Sequence, residues 1–153
     1  MEDALKPNSV KAVALGMEEV GHPLLGQRVL LVDSDVRAIY SISALLDEQG
    51  LQVVPATTRS EALERFDEDA FDLALVDISV PDNGGPSLIR QLRSDYGCQV
   101  PIVALVVGDL SEGRDQSVAA GADDVLVKPV ERAKLVELLQ RCLEPNNGSH
   151  ESP

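Results

Sequence analysis

Phe71-Asp72-Leu73-Ala74-Leu75-Val76-Asp77-Ile78-Ser79-Val80-Pro81 is the stretch whose reading decides the fold. It is an apolar run that ends in a carboxylate, and Pro81, Gly84 and Gly85 follow as turn formers. A run this short, bounded by turn signals, predicts a strand over 72–77 that is buried on both faces of a parallel sheet. Asp77 then stands at the carboxyl edge, where open α/β sheets place their ligands. Taken alone, such a carboxylate can also start a turn or cap a helix. What the rest of the chain brings to the same edge decides between these readings.

Upstream, Val29–Val32 is an aliphatic strand that closes on Asp33-Ser34-Asp35. The next segment carries Ile39, Ile42, Leu45 and Leu46 on one helical face, with Gly50 as its stop. Residues 52–55 read as a second strand. Thr57 or Thr58 can cap the helix after it, and Glu61, three residues beyond Thr58, completes a capping box. Ala62, Leu63 and Phe66 form that helix's apolar face. Downstream, Leu88, Ile89 and Leu92 mark a third helix, and 102–107 a fourth strand after Pro101. Asp109 or Ser111 caps a fourth helix that Gly121 ends. A fifth strand over 125–127 closes on Lys128-Pro129, and the last helix shows Leu135, Leu138, Leu139 and Cys142 at i, i+3, i+4 and i+7. Alternating strands and helices predict an α/β protein, a doubly wound (βα)5 parallel sheet covered on both faces. Right-handed crossovers favour the flavodoxin-like strand order 2-1-3-4-5.

At 153 residues the chain holds one domain, expected over 27–143. In the extension over 1–26, Val10, Val13, Ala14, Met17 and Val20 recur at helical spacing before Gly21-His22-Pro23 breaks the pattern. That extension reads as a short helix or as linker from a longer parent. Residues 144–153 form a polar tail, expected to be disordered. Hydrophobic residues make up 44% of the chain, but the aromatics are only Tyr40, Phe66, Phe71 and Tyr96, so the core must be aliphatic. A formal charge of −13 leaves no basic stripe to neutralise phosphates and argues against nucleic-acid binding. Two cysteines, Cys98 and Cys142, and two histidines, His22 and His150, show no disulfide or zinc spacing; the reducing cytoplasm fits best. No run reaches membrane-spanning length, and the acidic start is unlike a signal peptide.

In the predicted topology the first, third and fifth strands end at Asp33, Asp77 and Lys128, all on one edge. Neighbouring carboxylates repel unless a cation lies between them. A hard ion such as Mg²⁺, which takes oxygen ligands, suits such a pair. A lysine opposite can hold an anionic group placed on one carboxylate. Together they supply what phosphoryl transfer to an aspartate requires: nucleophile, metal and counter-charge.

These residues resemble the receiver domains of two-component response regulators over about 28–143. The resemblance is carried by Val29-Leu30-Leu31-Val32-Asp33, by Val76-Asp77-Ile78-Ser79-Val80-Pro81 with Gly85, by Ala120-Gly121-Ala122-Asp123-Asp124 and by Lys128-Pro129. The run Val36-Arg37-Ala38-Ile39-Tyr40 is most similar to receivers attached to hybrid histidine kinases. The resemblance implies that Asp77 accepts phosphate from a phosphohistidine on a histidine kinase or histidine phosphotransfer protein. It implies that Asp33, Asp77 and the Ser79 backbone carbonyl hold Mg²⁺, and that Lys128 contacts the phosphoryl oxygens. It also implies output by protein–protein contact through the fourth helix, fifth strand and fifth helix, here with Leu110, Val118, Val125 and the exposed side of the last helix.

Four positions depart from the family pattern. Ser34 stands where a second metal-binding acid is usual. Asp35 can substitute as a ligand or cap the first helix, and the cap is the preferred reading. Val106 stands where a Thr or Ser bonds the phosphoryl group, and valine has no hydrogen-bonding group. Val107 replaces a small residue, and its extra methyls are expected to narrow access to Asp77. Val125 replaces a Tyr or Phe that swings; a β-branched residue is stiff at χ1. The hydroxyl-to-aromatic relay is therefore missing at Val106 and Val125. This leaves a phosphoryl-accepting receiver with an atypical switch, or a pseudo-receiver that binds partners regardless of phosphate. Leu31-Val32-Asp33-Ser34-Asp35-Val36 also resembles the nucleophile motif of haloacid-dehalogenase-like phosphatases. Val106 and the scattered Glu131, Glu137 and Glu144 do not supply that family's later hydroxyl and acidic pair.

Overall fold

Strands and helices alternate along the chain as β1 (Arg28–Val32), α1 (Val36–Glu48), β2 (Gln52–Ala56), α2 (Arg59–Glu68), β3 (Leu73–Asp77), α3 (Gly84–Ser94), β4 (Ile102–Val107), α4 (Ser111–Ala120), β5 (Asp124–Lys128) and α5 (Arg132–Leu143). The computed structural model describes residues 24–81, 84–108 and 111–143, without the side chains of 111 and 112. The amphipathic pattern at 10–20, the break at 21–23, Asp109, Leu110 and the 144–153 tail lie outside the described residues.

The strands form one parallel sheet in the order β2-β1-β3-β4-β5, as the alternation predicts. Its registers pair Val32 with Val76, Asp77 with Leu105, and Val107 with Lys128. Because side chains alternate across a strand, each strand feeds two cores. Val29, Leu31, Leu73, Leu75, Val103, Leu105 and Leu126 face α1 and α5, where they meet Ile42, Leu46, Leu135, Leu138 and Leu139. Leu30, Val32, Ala74, Val76, Ile102 and Ala104 face the opposite layer and pack on Ala62, Leu88, Ile89 and Leu92. Most of these side chains are fully buried, each stabilising the fold by about 1.5–3 kcal/mol before entropy is counted. The core is aliphatic, as the composition requires; Phe66 and Phe71 stack at its margin with ring centroids 6.1 Å apart.

The helix boundaries follow from the predicted signals, with corrections. Asp35 is the N-cap of α1, its carboxylate accepting from the Arg37 N–H, and Gly50 follows the helix at φ +88°. Thr58 caps α2 by accepting from the Glu61 N–H at 3.1 Å. The capping box closes one residue earlier than expected: Glu61 accepts from the N–H of Thr57 at 2.8 Å, not from that of the cap. Ser111 is the first helical residue of α4. Strand β3 starts at Leu73, because Asp72 instead uses its carboxylate to accept the Arg28 N–H at 2.9 Å. Strand β5 runs one residue further at each end than its apolar core suggests and so includes Lys128. Cys142 is half-buried rather than part of the sealed face of α5.

Candidate functional site

The period of two that builds the cores also builds the site. Asp33 and Asp77 continue the rows Val29-Leu31 and Leu73-Leu75, and Lys128 continues the row of Leu126. All three project on the α1/α5 side of the sheet's carboxyl edge. β1 and β3 are neighbours, so the two carboxylates lie side by side. β5 is two strands from β3, about 10 Å at the usual strand spacing, and the long lysine stem spans that gap. Lys128 Nζ donates to Asp33 Oδ2 at 2.7 Å and to Asp77 Oδ2 at 3.1 Å.

Each carboxylate is held from its other oxygen by the same local device, an aspartate side chain accepting from the backbone two residues on. The Asp35 N–H donates to Asp33 Oδ1 at 2.9 Å. The Ser79 N–H and hydroxyl donate to Asp77 Oδ1 at 2.9 and 2.7 Å. Asp33 is fully buried and Asp77 is 2% exposed.

The surroundings split the pair electrostatically. Burial pushes the Asp33 carboxyl above its ordinary value, despite the bonds from Lys128 and the Asp35 N–H. Burial acts the same way on Asp77, but the two Ser79 bonds and the lysine outweigh it and hold this carboxyl below the usual range. Lys128 loses hydration too, yet its bonds to both aspartates raise its pKa above the ordinary lysine value. At neutral pH the site therefore presents an ionised Asp77, the form a nucleophile needs.

The structure thus brings Asp33, Asp77 and Lys128 together and sets Ser79 against Asp77. It places Asp35 as a helix cap and leaves Ser34 exposed beside the pair. Among the described residues, no group of three His, Cys, Asp or Glu side chains converges. The two buried carboxylates at this edge are oxygen donors of the kind a hard cation takes.

The departing valines sort by face. Val106 is 2% exposed and continues the row of Ile102 and Ala104, while Val125 is half-buried against that same core. Val107 continues the row of Leu105 and pairs in register with Lys128. It is 52% exposed and lines a groove of about 470 Å³ with Asp35, Ala38, Ile42, Lys128 and Pro129. Asp77 itself is bonded by the lysine and by the Ser79 turn.

Sequence reading missed the Ser79 side-chain bond, whose signal is the Asp-x-Ser spacing, and the double contact of Lys128. It also missed why Gly84 and Gly85 are glycines. A Cβ on Gly85 would lie 2.3 Å from Ile78 Cα and 2.7 Å from the Asp77 carbonyl oxygen. The first turn of α3 thus rests directly on the backbone that carries Asp77.

Known proteins share this fold. The two-component response regulator PhoP of Pseudomonas aeruginosa is 34% identical over 121 residues, 79% of this chain and 53% of that protein. The chain spans about half the length of the curated relatives it matches. The receiver domain of a sensor histidine kinase from the same species, solved with a magnesium ion coordinated in its active-site cleft, is 33% identical with a TM-score of 0.71, covering 81% of this chain and 99% of that one. A CheY-like receiver domain from Methanospirillum hungatei is 29% identical with a TM-score of 0.70, covering 80% and 98%. No described helix is long and apolar enough to cross a membrane. The phosphatase resemblance at 31–36 is superseded, because residues 29–140 match the response regulator receiver domain. By fold and by sequence, the chain belongs to the response regulator receiver domain family of two-component signalling.

Proposed function

We propose that this receiver, over 27–143, accepts a phosphoryl group on Asp77 from a cytoplasmic histidine kinase or histidine phosphotransfer protein. One observation carries the reading: Lys128 Nζ lies within 3.1 Å of both Asp33 and Asp77 at the edge where the family's chemistry takes place. In the transfer, an Asp77 carboxylate oxygen bonds to phosphorus while the phosphorus–nitrogen bond breaks. The electron pair stays on the histidine ring, which leaves as neutral imidazole because its other nitrogen carries a proton taken up from solvent. Lys128 moves from the carboxylates to the new phosphoryl oxygens. Ser79, on Asp77 Oδ1, keeps the carboxylate turned toward the edge before transfer.

The transfer replaces one negative charge on Asp77 by about two, more than a single lysine offsets. Mg²⁺ held by Asp33, Asp77 and the Ser79 carbonyl would supply the remaining positive charge. Its affinity is reduced by Ser34 and by the need to displace Lys128 from Asp33. Asp35, committed to capping α1, stands outside that ligand set. The chemistry is confined to self-catalysed phosphorylation and its reversal. Output passes by protein–protein contact through the α4–β5–α5 face, where Val118 and Val127 are exposed, and it proceeds without the hydroxyl-to-aromatic relay because Val106 and Val125 stand in those places.

Incubation with Mg²⁺ and acetyl phosphate followed by intact mass tests this. The expected product is heavier by about 80 Da, one phosphoryl group on an aspartate, and absent from Asp77→Asn. The second reading, a pseudo-receiver that binds partners regardless of phosphate, is favoured by the Asp77 side chain being only 3% exposed. Absence of the heavier species with both acetyl phosphate and a phosphorylated histidine donor would select it.

A further inference from the structure

Arg93, in the last turn of α3, makes more hydrogen bonds than any side chain at the proposed phosphorylation site. Its Nη1 donates to the carbonyls of Cys98 and Val100 at 2.9 and 3.0 Å, in the loop before β4. Its Nε donates to the Gly121 carbonyl at 3.0 Å, and Nη2 pairs with Asp123 Oδ2 at 2.6 Å, both in the corner before β5. Asp123 Oδ2 also accepts the N–H of Ile102, the first residue of β4. Gly121 lies at φ +119°, and a Cβ there would come within 3.0 Å of Arg93 Cγ, so the arginine stem fills the space the glycine leaves. The guanidinium side chain is about three-quarters buried.

The other end of α3 is fixed just as tightly. Gly84 and Gly85 bring its first turn against Val80, Ile78 and the Asp77 carbonyl, with no room for a side chain between them. The helix from Gly85 to Arg93 is about 12 Å long at the usual rise. Three residues beyond Gly121 begins β5, whose far end carries Lys128 back to Asp77. Asp77, α3, Arg93, the 121–123 corner, β5 and Lys128 thus form a closed circuit of direct contacts. The circuit bypasses Val106 altogether.

We propose that Arg93 is a positioning residue through which α3 passes the state of Asp77 to the corner where β5 begins. It takes over the part that the missing relay would play. The proposal rests on Asp77 as the functional centre, but its test does not need phosphate. Arg93→Lys keeps the charge facing Asp123, but a single ammonium cannot hold carbonyls on both sides as the planar fork does.

Amide hydrogen exchange at residues 121–126 of the full chain is the readout, with Asp77→Asn as the perturbation. In the otherwise native chain, Asp77→Asn should change exchange at this corner on the order of fivefold, the lower end of ordinary site-to-site coupling. In the Arg93→Lys background the same change should be less than about twofold. A merely structural arginine would shift both backgrounds equally, and that result overturns the proposal. So does a corner that ignores Asp77→Asn in the native chain. If Arg93→Lys fails to fold, Asp123→Asn keeps an acceptor for Ile102, removes the ion pair and makes the same comparison. Phosphorylation of the Arg93→Lys chain by acetyl phosphate, scored by mass, separates the two readings. Failure of phosphorylation in every background sinks the phosphoacceptor, whereas equal corner shifts sink Arg93.

Discussion

Replacing Lys128 by Met keeps the length and most of the apolar stem of the side chain while removing its charge and its donors. Asp33 and Asp77 would then face each other, fully and almost fully buried, with no cation between them. The two Nζ contacts place the bonded carboxylate oxygens no more than about 6 Å apart. Two unit charges at that distance repel by about 3 kcal/mol at an effective dielectric of about 20. Removing one partner of a buried ion pair costs about 3–5 kcal/mol. The folded protein has one escape, which is to protonate Asp33, whose pKa burial has already raised. The net loss at neutral pH is therefore set near the bottom of that range, about 3 kcal/mol. For a chain of this size that lowers Tm by about 10 °C.

The pH dependence distinguishes this mechanism from simple loss of packing. Because Asp33's folded pKa lies above its unfolded value, the folded state binds the extra proton between the two, and stability falls as pH rises through that window. The lysine lowers this pKa, so its removal widens the window upward. In the variant, stability should rise as pH is brought down from 8 towards 5, by at most about 1.4 kcal/mol per pH unit. The gap between variant and wild type should shrink accordingly. Urea denaturation followed by far-ultraviolet circular dichroism at pH 5, 6, 7 and 8 measures both. A loss under about 1 kcal/mol, or a gap of constant size across these pH values, would refute the buried-pair reasoning and make Lys128 a solvated surface charge.

Three further outcomes are expected. Gly85→Ala should cost about 2–3 kcal/mol in urea denaturation, because its Cβ would meet backbone at 2.3 Å rather than a side chain that can turn aside; a cost near zero would show that α3 is not seated on Asp77. Val106→Thr should destabilise by about 1–3 kcal/mol, since it puts a hydroxyl at a 2% exposed position on the apolar face of β4, and an unchanged urea midpoint would mean that a partner for that hydroxyl already exists there. Val107→Ala should leave stability within about 0.5 kcal/mol, as its side chain is half exposed, while speeding phosphorylation by acetyl phosphate several-fold by opening the groove beside Lys128; an unaltered rate in the mass assay would show that the groove does not limit approach.

The sheet order and the parity of its core were legible because the strands are short aliphatic runs and every helix but α4 shows an apolar stripe, and both patterns depend only on local spacing. Asp33, Asp77 and Lys128 were legible for the same reason, as polar residues that continue apolar rows at the end of a strand. What stayed out of reach depends on contacts between distant segments. Nothing in the spacing says that the stem of Lys128 crosses from β5 to reach both aspartates, or that Glu61 satisfies Thr57 rather than Thr58. Gly85 reads as a turn former in the sequence, and Arg93 carries no signal there. Their roles emerge only when β3, the loop before β4 and the corner before β5 lie against the two ends of one helix. Val107 pairs in register with Lys128, a placement that the spacing alone does not give.

The alternation of faces also fits the proposed combination of a phosphoacceptor site with the absence of a hydroxyl-to-aromatic relay. Asp33, Asp77 and Lys128 share the α1/α5 face, whereas Val106, by strand alternation, lies on the opposite face, where Val125 packs against the core. Aliphatic substitution on the second face removes a hydroxyl and a ring without touching a bond of the first. The charged triad is held by Asx turns and by one lysine. Chemistry and readout therefore vary independently at this sheet edge. A readout that survives here has to begin from something the triad does touch. The backbone of Asp77 against Gly85 is such a contact, and from it α3 leads to Arg93.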